Sequence, residues 1–243
     1  MAAPDWLTER PIAHRGLHEG ARAPENTRPA FQAAIDAGLP IELDVQLSSD
    51  GHPVVHHDAA LGRLTAGSGS LRGHTLEQLT AMTVSGEQHR IMSLEQVLAL
   101  VDGQVPLLVE VKSGDDAGLR AEAVARALEG YAGEAAVQSF DPAIVVWFRR
   151  NSPHIPRGQL SGRLSHAKGR ISWVRRKALQ HFALNLASRP DFLGYELAFL
   201  GPRKAAAFRS TGKPLLLWTV TNQEQRERAE QLGDNIIFEG FLP

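Results

Sequence analysis

Two short apolar runs in this 243-residue chain carry acids at strand spacing: Ile41-Glu42-Leu43-Asp44-Val45 and Val109-Glu110-Val111-Lys112. On a strand, residues two apart share a face, so Glu42 and Asp44 point one way while Ile41, Leu43 and Val45 point the other. Either such a pair is the wet face of an amphipathic strand, or it belongs to a parallel strand buried on both sides, whose faces are ordinarily both apolar. In the second case the carboxylates need a function. They repel one another unless a proton or cation sits between them. Three carboxylates and no cysteine favour a hard divalent cation, Mg²⁺ or Ca²⁺. Zinc is the weaker fit, because the sequence has no His-x-His and an extended His56-His57 would face opposite ways. His14-Arg15-Gly16 closes another apolar run near the N-terminus. Alone, such a histidine is more often structural and such an arginine a surface charge.

The elements around these residues alternate. Strands are predicted over 11–16, 40–47, 106–112, 135–140, 155–162, 194–197, 214–220 and 235–240, with helical patterns between them. Pro29 and Gly38 bracket one helix, Gly130 ends a second, and Thr221 or Asn222 and Gly233 bound the last. Eight strands separated by helices imply parallel pairing and an α/β fold of the (β/α)8, TIM-barrel class. A single domain over 1–243 fits the length. Residues 48–105, with helical patterns at 75–82 and 93–103, exceed one crossover and are expected to form a small insertion after the second strand, over the C-terminal face where barrel active sites lie.

Composition removes several functions. With 26 basic and 27 acidic residues, the net charge of −1 provides no general field for nucleic acid or an anionic membrane. No cysteine means no disulfide, no thiolate metal site and no thiol nucleophile. No integral membrane segment is expected, and MAAPDWLTER has no apolar run of signal-peptide length, so the chain reads as cytoplasmic. Thr65–Ser70 and Thr211–Pro214 do not complete a phosphate-loop pattern and read as turns. The stretch 162–181 holds six Lys or Arg and reads as a solvated, helix-bearing surface or a patch meeting an anionic substrate or lipid. Nothing in the sequence sets an oligomeric state.

Five ordered motifs carry a resemblance: His14-Arg15-Gly16, Pro24-Glu25-Asn26-Thr27, Glu42-Leu43-Asp44-Val45, Asp50-Gly51 followed by Val54-Val55-His56-His57-Asp58, and Glu110-Val111-Lys112. In order and spacing they resemble the signature of the glycerophosphodiester phosphodiesterases over about the first half of the chain, and Trp218-Thr219-Val220 resembles a later element. The resemblance implies a TIM barrel with a small insertion. It further implies Glu42, Asp44 and Glu110 as ligands of one divalent cation, His14 and His57 as the acid–base pair, and Arg15 and Lys112 as phosphate binders. Asp58 would orient His57, and the Pro24–Thr27 turn would buttress the site. Trp218 would cover the glycerol carbons, or else belong to the core. Two departures stand out: Leu64 replaces the first threonine of the family's Leu-x-Arg-Thr-Thr, and Glu239 stands where an aspartate is usual.

Three functions follow. The first is metal-dependent hydrolysis of small glycerophosphodiesters to glycerol 3-phosphate and an alcohol. The second is a lysophospholipase D on the same barrel, which an apolar groove built from Trp173, Phe192 and Leu193 would favour. The third is a noncatalytic phosphodiester-binding protein.

Overall fold

Pro40, Pro106 and Pro214 stand immediately before three strands, where a missing N–H costs no ladder bond. Their carbonyls are used: each accepts from the neighbouring strand, from Ala13 N, Ile41 N and Leu193 N at 2.8, 2.9 and 2.8 Å. In the computed structural model, which describes residues 3–86, 88–163 and 185–243, eight such strands form a closed parallel barrel. They are β1 (Ile12–Ala13), β2 (Ile41–Leu47), β3 (Leu107–Val111), β4 (Ala135–Ser139), β5 (Arg157–Ser161), β6 (Phe192–Glu196), β7 (Leu215–Val220) and β8 (Asn235–Phe238). Neighbours pair in chain order, and β1 closes the ring by pairing with both β2 and β8. The architecture is the expected TIM barrel.

The period-two pattern sorts the two faces. Ile41, Leu43 and Val45 of β2 face outward and pack with Phe31, Val97 and Leu98 of the surrounding helices. Inside, Ile12, Leu108, Ala136, Phe192, Leu216 and Ile237 form a separate apolar layer, which Trp6 and Leu7 join. Two residues further along their strands, the inward positions become Glu110, Gln138 and Trp218. The barrel is therefore apolar at one end of its interior and polar at the C-terminal ends of its strands, the face where such barrels carry chemistry.

Between β2 and β3, residues 48–105 carry a short strand, Pro53–Val55, antiparallel to β2, and helices Leu76–Ala81 and Leu94–Val101. Both helices start with capping boxes, Thr75 with Gln78 and Ser93 with Gln96. Val54, Leu61, Leu71, Leu79, Val84 and Ile91 form a small core of their own there.

Some boundaries differ from the sequence expectation. β1 is only two residues long because the chain turns at Arg15 and Gly16, both at positive φ (56° and 79°). A Cβ on Gly16 would also lie 2.8 Å from the Ala30 backbone, so a side chain is excluded there twice over. Helices Pro142–Asn151 and Pro202–Arg209 had not been singled out. β6 begins at Phe192, earlier than expected, and Phe192 and Leu193 are 0% and 1% exposed, so neither lines a groove. Trp173 and most of the basic stretch 162–181 lie outside the described residues.

Phe192 has room because β5 carries Gly158 opposite it: a Cβ there would come within 2.1 Å of the ring. Gly158→Ala is expected to lower unfolding stability by about 1–3 kcal/mol through overpacking of a closed barrel interior. A chemical-denaturation midpoint at the wild-type value would refute this.

Candidate active site

The three carboxylates converge. Glu42 and Asp44 on β2 and Glu110 on β3 are buried, and one oxygen from each lies within 4.8 Å of the others. Asp44 is the most heavily bound: Lys112 Nζ lies 2.5 Å from Oδ1, Arg15 Nε lies 3.0 Å from Oδ2, and Asn26 Nδ2 donates to Oδ2 at 2.9 Å. Lys112 also donates to Glu110 at 2.6 Å. Burial alone would raise the Asp44 pKa, but Lys112 and Arg15 outweigh it and hold the carboxyl well below the usual range. Glu42 has no such cation. It accepts Arg15 N at 3.1 Å, and burial together with repulsion from Asp44 pushes it up to about 7. Its nearest cationic partner is the His14 imidazole, with Nε2 at 3.9 Å, and a buried carboxylate so weakly compensated, beside two more, is the environment a divalent cation relieves. With oxygen donors alone, the set fits Mg²⁺ or Ca²⁺.

The two sequence-expected histidines stand in the same cavity, of about 180 Å³, together with Arg15, Glu42, Glu110 and Lys112. Each has Nδ1 fixed by a carboxylate. His57 Nδ1 is 2.7 Å from Asp58 Oδ1, and His14 Nδ1 is 2.5 Å from Glu239 Oε2. With those carboxylates charged, both Nδ1 atoms donate, which leaves Nε2 as the proton-exchanging atom in each ring. Their electrostatics diverge. Burial and the nearby Lys112 lower the His57 pKa. Burial also pulls His14 down, but the Glu239 hydrogen bond and the Glu42 carboxylate outweigh it, so its pKa is raised. His56 is buried and absent from the cavity wall, so the adjacent pair does face two ways.

The Pro24–Thr27 turn ties these parts together. Thr27 Oγ1 donates to Pro24 O at 2.6 Å, and Asn26, at φ 58°, reaches Asp44. Glu25 accepts Arg15 at 2.8 Å and a two-pronged contact from Arg63 at 2.9 and 2.7 Å. Arg63 Nε also donates to Asp58. One guanidinium thus links the His57–Asp58 pair to the Glu25–Arg15 pair, a fork only arginine can make.

The far side of the cavity is different in character. Phe140, Leu160 and Trp218 form its walls, with Gln138, Glu196 and Thr219 as the polar groups. Trp218 meets Phe140 edge to face, with centroids 5.4 Å apart. Trp218 lines the cavity and also packs against the inner apolar layer. Sequence reasoning did not single out His18, Gln138, Phe140 or Glu196. Arg63 and Glu239 appeared in it only as neighbours or departures within the family pattern.

Comparison with known proteins follows the same line. The sequence model of the glycerophosphoryl diester phosphodiesterase family matches residues 14–239. A glycerophosphodiester phosphodiesterase of Caldanaerobacter subterraneus subsp. tengcongensis is 31% identical over 240 residues, covering 93% of this chain and 92% of its own. Among solved structures, an Oleispira antarctica phosphodiesterase in complex with the product sn-glycerol-3-phosphate superimposes with a TM-score of 0.80 at 23% identity, covering 96% of this chain and 93% of that one. A glycerophosphodiester phosphodiesterase of Thermotoga maritima gives 0.73 at 24% identity, covering 95% and 94%. At these identities the structures speak for the fold.

Proposed function

The chain belongs to the glycerophosphoryl diester phosphodiesterase family, and from that membership and the site we propose that it hydrolyses small glycerophosphodiesters to glycerol 3-phosphate and an alcohol with the help of one divalent cation, Mg²⁺ or Ca²⁺. The family makes it a phosphoric diester hydrolase. The observation that carries the finer reading is the joint lining of one small cavity by His14, His57, Glu42 and Glu110, with Asp44 beside them.

Glu42, Asp44 and Glu110 would hold the cation, which when bound supplies positive charge to the nonbridging phosphoryl oxygens. Arg15 and Lys112 add fixed positive charge in the same place, and neither must reorganise as the transition state forms, since their carboxylate partners already hold them. One imidazole Nε2 takes a proton from the attacking oxygen and the other gives one to the leaving oxygen. The attacking oxygen is either the glycerol 2-hydroxyl, which forms a cyclic phosphate that water then opens, or water itself. Both routes use the same two proton transfers. Phe140 and Trp218 present apolar surface to the glycerol carbons, and the polar edge of Gln138 is available to a hydroxyl. The lysophospholipase D reading loses support, because Phe192 and Leu193 are core residues. No described helix is long and apolar enough to cross a membrane.

Purified protein incubated with glycerophosphocholine should release glycerol 3-phosphate when Mg²⁺ or Ca²⁺ is present and none in EDTA, as measured by an enzymatic assay of the product. Undiminished release in EDTA would remove the cation from the reaction. Release from lysophosphatidylcholine alone would move the substrate assignment to the acylated class.

A further inference from the structure

We propose that His14, His18 and Glu239 form a second cation site, suited to Zn²⁺, whose occupation switches the enzyme off. The switching half of this rests on His14 being a proton-transfer residue, whereas the site itself does not.

His14 follows β1, His18 lies four residues on, and Glu239 follows β8, so the closure of the barrel brings them together. Glu239 Oε2 lies 2.5 Å from His14 Nδ1 and 3.4 Å from His18 Nε2, and one donor atom from each residue falls within 4.8 Å of the others. Ligands around a tetrahedral metal at ~2.0–2.2 Å stand about 3.3 Å apart, inside that range. The His18 Nε2 atom is buried, and its one polar contact, with Glu239 at 3.4 Å, is too long and poorly aligned for a good hydrogen bond. A buried polar atom left this way costs stability, and a ligand that uses its lone pair removes the cost. Among the described residues, the ion-pair partners of Glu239 are these two histidines, so no lysine or arginine competes for its charge.

The donor chemistry separates this place from the carboxylate site. Two imidazoles and one carboxylate are a donor set of zinc, whereas Glu42, Asp44 and Glu110 offer oxygen alone. Selection between a borderline and a hard cation is thereby built into neighbouring positions. Access exists as well. His18 and Glu239 line an open groove of about 930 Å³ between the His18 loop, helix Arg28–Asp36 and the chain after β8, which shares no lining residue with the catalytic cavity.

Occupation would have a direct consequence for His14. Nδ1 now donates its hydrogen bond to Glu239 at 2.5 Å. A metal ion on Nδ1 takes the lone pair that held that proton, so in a neutral ring the proton moves to Nε2, and a ring already carrying both protons releases one to solvent; in either case the Glu239 hydrogen bond ends. Nε2 is then an N–H held tightly by a ring that bears the metal's charge, so it can neither accept a proton nor readily give one.

The test uses the whole protein in saturating Ca²⁺, with Zn²⁺ as the probe. Calorimetric titration and glycerophosphocholine turnover are run on the wild type and on His18→Ala, with His18→Gln as a second variant. We expect one Zn²⁺ to bind the wild type and to lower turnover at least tenfold at the concentration where it binds, with no relief from tenfold more Ca²⁺. Both variants should keep the Zn²⁺-free turnover and bind and respond to Zn²⁺ at least tenfold more weakly. Equal Zn²⁺ affinity in the variants would overturn the site, and relief by Ca²⁺ would place the Zn²⁺ on the carboxylates instead. Absence of Zn²⁺-free turnover in the wild type would count against the hydrolase reading, while the calorimetric comparison would still decide the site.

Discussion

Alanine in place of His57 is expected to lower kcat for glycerophosphocholine by ~10²–10⁴-fold, with little change in KM, which corresponds to about 2.7–5.4 kcal/mol of lost transition-state stabilisation. The split follows from when the interaction forms. A proton moves only as the P–O bonds change, so its loss raises the barrier without weakening ground-state binding. The fold should survive, because the partner of His57, Asp58, keeps Arg63 when the ring is gone, and the His57 side chain is about one-third exposed. Cation binding should survive too, since His57 is not among the converging carboxylates. His14→Ala should behave alike, as the other half of the pair. Near-normal turnover in either variant, measured by initial rates with cation saturating, would remove that histidine from the mechanism.

Asp44→Asn should be at least as damaging, for a different reason. The substitution keeps the shape and removes one charge from the centre of the site. Losing a ligand of a catalytic cation forfeits several kcal/mol of charge stabilisation, or ~10³-fold and more in kcat/KM. It also leaves Lys112 and Arg15 without the carboxylate they share, at 2.5 and 3.0 Å. Removing one partner from a buried ion pair typically costs about 3–5 kcal/mol of stability. So the variant should show both a lost response to added Mg²⁺ or Ca²⁺ and a lower thermal midpoint. Glu42→Gln separates the two effects, because among the described residues Glu42 has no lysine or arginine side chain paired with it and meets only the His14 imidazole, at 3.9 Å. It should lose cation-supported turnover with a thermal midpoint near or above that of the wild type in EDTA. A Glu42→Gln enzyme with wild-type cation dependence would show that this carboxylate is not a ligand.

The barrel was legible because doubly buried parallel strands announce themselves as apolar runs; parity put Glu42 and Asp44 on one face, and the parallel-strand reading was needed to make that face an interior one. Helix Pro142–Asn151 escaped because Ile144, Val145, Val146, Trp147 and Phe148 are β-branched or aromatic and mimic a strand. Its better signal was local: Asp141, whose side chain accepts from Ala143 N, followed by Pro142 in the first turn. Helix Pro202–Arg209 buries only Ala205 and Phe208, too little to show a period, and Gly201 offers no capping side chain. The early start of β6 was hidden for a different reason: Phe192 fits only because Gly158, on the neighbouring strand, has no side chain.

Within the site, residue chemistry alone could read neighbours in sequence, the family resemblance joined Glu110 to Glu42 and Asp44 and His14 to His57, and the remaining long-range partners were not readable. Glu42 with Asp44, and His57 with Asp58, are two and one residues apart. Glu239 reaches His14 across 225 positions, a contact set by the pairing of β1 with β8, and Arg63 of the insertion reaches Glu25 in the loop after β1 across 38. Glu239, noted in the sequence only as a departure from the family pattern, has a carboxylate that meets both His14 and His18.

The central claim is that Glu42, Asp44 and Glu110 seat the catalytic cation. It is tested most directly by crystals grown with Mn²⁺ and glycerol 3-phosphate, with anomalous diffraction recorded to locate the metal, alongside an assay showing that Mn²⁺ supports turnover. The account predicts an anomalous peak bonded to oxygens of all three carboxylates, with the phosphate beside it and within reach of Arg15. Turnover supported by Mn²⁺ with no peak at those carboxylates would contradict it.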